Sequence, residues 1–282
     1  FLQELMKIFK VTEKLEGYTE VFNGKLEGSL SDIKISAKAK QKNGNILGIK
    51  NQKLFTEVFY NKGILEFKNG DITLYGGKAK AHVWITLPEV VKHYVFIEAE
   101  KVSSLGIFEI INWNPEIAEG SINGWLLSHG DIFAPKGSFV YLRKGNLPND
   151  VRGRINSISG DFESDGKVYY ITSLNFQLDK TKLMAEGSLD TEKMLINFKF
   201  RGNTKNINEI LEPYQSAFNG GAKITGLING RFDDPEIDLK FETNNINANL
   251  SRLIKNFGNE LLLINDLRGQ LRYNKNKLTI ID

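Results

Sequence analysis

The chain has 282 residues, 41% of them hydrophobic and 25% charged, a balance that excludes a disordered chain and points to a folded one. Its net charge of 37 − 34 = +3 comes from lysines spread through strand-like segments, which argues against the concentrated basic stripe of a nucleic-acid binder. It has no cysteine, which excludes disulfides, cysteine-ligated zinc and a thiol nucleophile, and it has no apolar run of the length that reads as a membrane-spanning helix.

The first predicted element is a short amphipathic helix, because Leu2, Leu5, Met6 and Phe9 recur at i, i+3, i+4 and i+7 and so form one apolar stripe. The chain opens on Phe1, and its last segment, K-L-T-I-I-D, is still in strand pattern at Asp282. Both ends therefore read as cuts in a longer protein, with a leader or anchor removed. From Gly24 runs G-K-L-E-G-S-L, a Gly-x-apolar-x-Gly-x-apolar phrase. F-Y-N-K-G-I-L-E-F from Phe59 is a strand, a polar turn and a strand, the pattern of a hairpin. Gly76-Gly77-Lys78 resembles the end of a phosphate-binding loop. That loop needs Gly at position 72 and Ser or Thr at 79, where this chain has Ile72 and Ala79, so a turn or strand bend is expected instead. Val83, Ile85 and Leu87 then alternate with His82, Trp84 and Thr86.

A second helix is predicted at Ile107, Phe108 and Ile111, with Ser104 in the first place of the stripe. The Gly phrase returns as G-S-I-N-G-W-L from Gly120, and a second hairpin follows at F-E-S-D-G-K-V-Y-Y from Phe162. Leu174, Phe176 and Leu178 alternate with Asn175 and Gln177; Met194, Ile196, Phe198 and Phe200 alternate with Leu195, Asn197 and Lys199. A third helix carries Ile207, Ile210, Leu211 and Tyr214, opened by an Asn206…Glu209 capping pair and bent or ended by Pro213. The third Gly phrase is G-L-I-N-G-R-F from Gly226. The turn signature Asp233-Asp234-Pro235 leads into Ile237, Leu239 and Phe241, which alternate with Asp238 and Lys240. A fourth helix is predicted at Leu250, Leu253, Ile254 and Phe257, stopped by Gly258, and a third hairpin at L-R-Y-N-K-N-K-L-T-I from Leu271.

The Gly phrases lie 120 − 24 = 96 and 226 − 120 = 106 residues apart, with a helix before each and a hairpin after it. This predicts repeats over residues 1–100 and 101–202 and a third, truncated, over 203–282. The expected fold is mainly β: an elongated repeat of antiparallel strands forming one continuous segment, with short amphipathic helices at the repeat junctions. Strict alternation gives each strand one apolar face and one wet face. An open, taco-like hydrophobic groove fits this better than a closed globule, although a β-sandwich with the same faces sealed together shares the pattern. On the groove reading the wall is Val83, Ile85, Leu174, Phe176, Leu178, Ile196, Phe198, Phe200, Ile237, Leu239 and Phe241.

Reactive constellations are absent from the sequence pattern. His82, His93 and His129 stand at no metal-ligand spacing, and His82 reads as a surface residue on the polar side of its strand. No G-x-S-x-G elbow occurs, and Asp233-Asp234 lacks the further alternating carboxylates of a calcium loop. Asn249-Leu250-Ser251 matches a glycosylation triplet of a kind common by chance. No catalytic residue, metal, cofactor or nucleic-acid partner is expected.

The Gly-x-apolar-x-Gly-x-apolar phrases, the run from the third copy into D-D-P-E-I-D-L, and N-G-D-I-T-L-Y-G-G-K-A from Asn69 together resemble the AsmA-like superfamily of bacterial envelope proteins, of the AsmA, TamB and YhdP type. The resemblance spans essentially the whole chain, but its motifs are degenerate, and Pro235 has no counterpart at Asp32. It implies a twisted sheet curled into an apolar trough in the periplasm, anchored to the inner membrane in the full-length protein. It implies phospholipid as the cargo, carried between inner and outer membranes, and no enzymatic activity. The alternative it implies is a scaffold or chaperone-like module with an outer-membrane protein as partner during assembly.

Overall fold

The computed structural model describes residues 15–29, 32–46, 49–87, 91–106, 119–144, 155–178, 181–206, 218–231, 233–249, 261–274 and 277–281. Within them the fold is almost entirely β: seventeen strands assigned to one antiparallel sheet that is not closed. Residues 104–106 are helical. The four helical stripes expected from the sequence fall almost wholly outside the described residues. The chain divides into two compact units, the first reaching Tyr141 and the second running on from Leu142.

Unit 1 is a meander of β1 (Leu15–Glu27), β2 (Lys34–Ile46), β3 (Ile49–Asn61), β4 (Ile64–Leu74), β5 (Gly77–Thr86), β6 (His93–Ser103) and β7 (Gly120–Gly130), followed by β8 (Lys136–Arg143), in which the division between the units falls. From β1 to β7 each strand pairs with the next. The hairpin expected from Phe59 is β3–β4. Its turn residues Lys62 and Gly63 both have positive φ, 47° and 76°, the two-residue turn whose twist matches that of the strands it joins. Tyr75 and Gly76 do the same between β4 and β5, at 45° and 76°. Gly77 follows because a Cβ there would meet the backbone of Val102, and the ring of Tyr75 covers Gly106 in the same way. The Tyr-Gly-Gly phrase is thus a turn pressed onto β6.

Unit 1 is also bulged. Register shifts interrupt β1–β2, β3–β4, β4–β5 and β6–β7, and left-handed Asn23, Asn69 and Lys101 sit at them, Asn69 at both ladders of β4. A bulge adds one residue to one strand, bends it and increases its twist. Unit 1 buries two apolar clusters on its sheet: Ala39, Val58, Leu65 and Leu87, and Leu74, Ala79 and Val102.

Unit 2 contains β9 (Ile155–Ser164), β10 (Val168–Leu178), β11 (Thr181–Asp190), β12 (Leu195–Thr204), β13 (Phe218–Gly220), β14 (Ala222–Arg231), β15 (Asp234–Asn249), β16 (Leu261–Asn274) and β17 (Lys277–Ile281). β12 pairs with β14, and the short β13 runs beside the far end of β15. The hairpins expected from Phe162 and Leu271 are β9–β10 and β16–β17. Asp165 closes the first of them by accepting backbone N–H bonds from Lys167 and Val168, both at 2.9 Å. Met194, expected in strand, instead lies in the β11–β12 turn with φ 54°, so the alternation of β12 starts at Leu195. Its ladders from β11 to β15 run without a register shift. The one buried apolar cluster found among its described residues is Ala222 with Ile246, packed by Leu267.

Candidate functional site

Directly opposed residues in an antiparallel ladder share a face, so the register shows which candidate wall residues stand together. In unit 2 one row runs Leu174, Ala185, Phe200, Gly226, Leu239 and Leu271 across six strands. The next runs Phe176, Leu183, Gly202, Ile224, Phe241 and Gly269. A third contains Gly187, Phe198, Ile228 and Ile237, and Ile196 and Leu178 stand on the same face. All the unit 2 residues singled out from the sequence therefore share one side of the sheet. Each of them is half-buried.

Those rows place large side chains beside glycine. A Cβ on Gly226 would strike the Phe200 ring, and one on Gly269 would strike the Phe241 ring. The rings therefore lie across the bare backbone of the neighbouring strand. This gives each phenyl ring partial shelter against the neighbouring strand, the arrangement that protects glycine in sheets. The third Gly phrase acquires a reason: Gly226 receives the Phe200 ring, Ile228 stands opposite Phe198, and Gly230 takes φ 102° at the end of the strand. The second phrase has a different one, since a Cβ on Gly124 would meet the carbonyl of Ser138 on β8. In the first, Gly28 has φ 97° at the end of β1.

The reverse side of unit 2 is wet. Lys182, Lys199, Arg201, Lys223, Lys240 and Glu242 are exposed there. Arg272 donates to Asp238 across β15–β16 at 2.7 Å, and the hydrogen bond and charge of Arg272 hold the Asp238 carboxyl below its ordinary range.

Val83 and Ile85 in unit 1 are also half-buried, but their surroundings differ. Val83 stands between Phe67 and Val95, and Ile85 packs against the buried cluster of Ala39, Val58, Leu65 and Leu87. Ile85 borders a sealed core, whereas the half-buried residues of unit 2 share their face with buried Ile224 and the smaller cluster of Ala222 and Ile246.

The sequence pattern missed part of this apolar face. Leu183, Ile224, Ile228 and Leu271 belong to the same face of unit 2. In β11 and β14 they are spaced by Ala185, Gly187, Gly226 and Gly230, so those strands do not read as continuous apolar alternation. Leu183 and Ile224 are found by their pairing with Gly202 of β12, and Ile228 and Leu271 by their apolar partners Phe198 and Leu239, which exist only once the register is known.

The histidines lie elsewhere. His82 is bonded to Glu66 at 2.8 Å and sits edge-on to Tyr94, so it is a partnered residue on the outer side of unit 1 and not a bare surface one. Burial pushes the Glu66 carboxyl up, but bonds and charge from His82 and Lys68 outweigh it and hold the group below its ordinary value. His93 is buried and bonded to Ser128 at 2.8 Å. Among the described residues no three His, Asp or Glu side chains gather as a metal site, and no helix is long and apolar enough to cross a membrane.

No family model, curated protein or solved structure matches this chain.

Proposed function

We propose that the chain shields the acyl chains of phospholipid along the apolar face of its sheet, as a periplasmic segment of an AsmA-like bridge between the inner and outer membranes. The observation that carries this reading is the half-burial of Phe176, Phe198, Phe200 and Phe241 on one face of unit 2, with exposed lysine and arginine on the other. A sealed sandwich would bury such rings; a lone sheet in water would expose them more fully. Half-burial under a neighbouring strand leaves ring surface free for an apolar ligand to cover. The curvature of the face into a groove and the anchoring of the parent protein in the inner membrane are part of this proposal.

The energetic need is plain. Exposing acyl chains to water costs about 0.8 kcal/mol per methylene, so about thirty methylenes cost on the order of 20 kcal/mol. An apolar surface that follows the lipid lowers this barrier without any reactive group.

Organic extract of the purified chain, analysed by mass spectrometry, should contain phospholipid. A photocrosslinking residue at Phe198 should label lipid, and one at Lys199 on the opposite face should not. Equal labelling at both positions would overturn the reading. Retention of unfolded β-rich polypeptide in place of lipid would favour a scaffold for outer-membrane protein assembly.

A further inference from the structure

The wet face of unit 2 gathers cations that stand far apart in the sequence. One row across its ladders runs Lys182, Asn203, Lys223, Glu242 and Arg268. The next row on the same face runs Met184, Arg201, Thr225, Lys240 and Gln270. The neighbouring strands β11, β12, β14, β15 and β16 therefore carry one cation each: Lys182, Arg201, Lys223, Lys240 and Arg268. All five are exposed. They alternate between the two rows, so no two are directly opposed and diagonal neighbours lie about 7–8 Å apart. With strands about 4.8 Å apart, the stripe runs about 19 Å across the sheet.

The positive charge of the stripe is not cancelled by its surroundings. The two rows hold five cations against Glu242, 5 − 1 = +4. On one side the face continues with Lys199 and Arg272 against Asp161, Glu186 and Asp238, 2 − 3 = −1, and on the other Lys205 offsets Asp266. The residues that connect strands at that end, 144–154, 179–180, 207–217, 250–260 and 282, carry 6 − 6 = 0 by sequence. An excess of 4 − 1 = +3 remains. None of the five stripe cations forms an ion pair with a described residue, although Glu242 stands directly opposite both Lys223 and Arg268. Elsewhere in unit 2 the cations are partnered: Lys167 with Glu192 at 3.2 Å, Lys193 with Asp190 at 3.6 Å, Arg231 with Asp233 at 2.9 Å and Arg272 with Asp238 at 2.7 Å.

We propose that this stripe binds a linear anionic polysaccharide, laid across the strands with its acidic groups on the five cations. Charge complementarity along a line selects a chain with repeated negative charge. Asn203, Thr225 and Gln270 stand between the cations and offer amide and hydroxyl groups to the hydroxyls of sugars. No aromatic side chain stands in either row from β11 to β16, so the bases of a nucleic acid find no ring to stack on. Strands β11, β12, β14 and β15 are paired on both sides, so an acidic peptide finds no free backbone edge to extend. This binding does not depend on the shielding of lipid by the opposite face.

The test uses the whole chain and a fluorescent heparin oligosaccharide, with binding read by anisotropy at several salt concentrations. Binding should saturate, and dextran sulfate should compete for it while neutral dextran does not. Oligo-dT and polyglutamate of matched charge should compete about tenfold less well. The double variant Arg201→Gln, Lys223→Gln should bind about tenfold or more weakly and should lower the slope of log Kd against log salt by about 2, one for each cation removed. Lys167→Gln and Lys193→Gln, which remove paired cations of the same unit, should leave both quantities unchanged. Loss of lipid from the organic extract of Phe198→Ala with heparin binding retained separates this proposal from the lipid-shielding one. No saturable binding, competition by neutral dextran, equal competition by oligo-dT or polyglutamate, or equal weakening by the paired-cation variants would overturn it.

Discussion

Strands β3–β5 of unit 1 and β11–β15 of unit 2 carry the same alternation of apolar and polar residues, yet they bury it differently. In unit 1, Val58, Leu65 and Leu87 are sealed together with Ala39, and Ile85 packs onto them. In unit 2, Phe198, Phe200, Leu239 and Phe241 stop at half-burial. The ladders differ as well. Those of unit 1 are repeatedly bulged, at Phe55/Glu57 and Phe67/Gly70 among other places, while those of β11, β12, β14 and β15 keep unbroken register. Bulges bend and twist strands, which brings side chains on one face toward each other. On the unbroken ladders the Phe200 and Phe241 rings find shelter over glycine on the next strand, and Ile224 beside Phe241 is buried. Alternation alone therefore does not distinguish a buried core from a half-buried face.

The contrast can be broken most severely in the sealed region. Leu65→Ala should cost about 2–5 kcal/mol, read as a lowered urea midpoint, because it opens a cavity in a buried cluster. Gly226→Ala should cost about 1–3 kcal/mol, since the new methyl group meets both the Phe200 ring and the Asp238 carbonyl. Shortening the ring with Phe200→Leu in the same chain should recover part, not all, of that loss. Phe198→Asp should cost no more than about 2 kcal/mol, because only part of the ring leaves water on folding. It should nonetheless abolish lipid in the organic extract. If Phe198→Asp unfolds unit 2 as completely as an aspartate at Leu65 unfolds unit 1, the two faces are the same kind of core and the comparison fails.

Acid should sharpen the contrast least. The Asp165 and Asp190 carboxyls are held below their ordinary range, chiefly by backbone N–H groups of Val168 and of Lys193. A carboxyl with a lowered folded pKa stabilises the protein above its unfolded value, and that contribution is lost as pH falls through the folded value. The urea midpoint should therefore be level above about pH 5 and decline below about pH 4. Asp165→Asn and Asp190→Asn, which keep an acceptor oxygen but remove the titration, should flatten part of that decline. Glu66 adds a contribution of the same sign in unit 1, and Glu66→Gln should remove it.

Much of the β structure was legible in the sequence because its signals are local. The Lys62-Gly63 turn, the Asp165 turn and the alternation of β10, β12 and β15 each depend on a few adjacent residues. Asn69-Gly70 shows the limit. The dipeptide suits a hairpin turn, yet here Asn69, with φ 52°, makes a bulge inside β4, because Gly70 must lie close against Ala81 of β5. The distinction rests on a neighbour eleven residues away (81 − 70 = 11) and not on the dipeptide. Leu183 and Ile224 were missed for a related reason: their strands intersperse small residues, and at Gly226 the small residue receives the Phe200 ring from the next strand.

By itself the sequence determined that the chain is built from antiparallel strands and which side chains share a face, because successive side chains along a strand point to opposite sides whatever surrounds them. Whether a face is sealed or left half-open was decided only in the tertiary structure. That outcome depends on bulges, register and cross-strand partners, and these join residues with no fixed spacing along the chain.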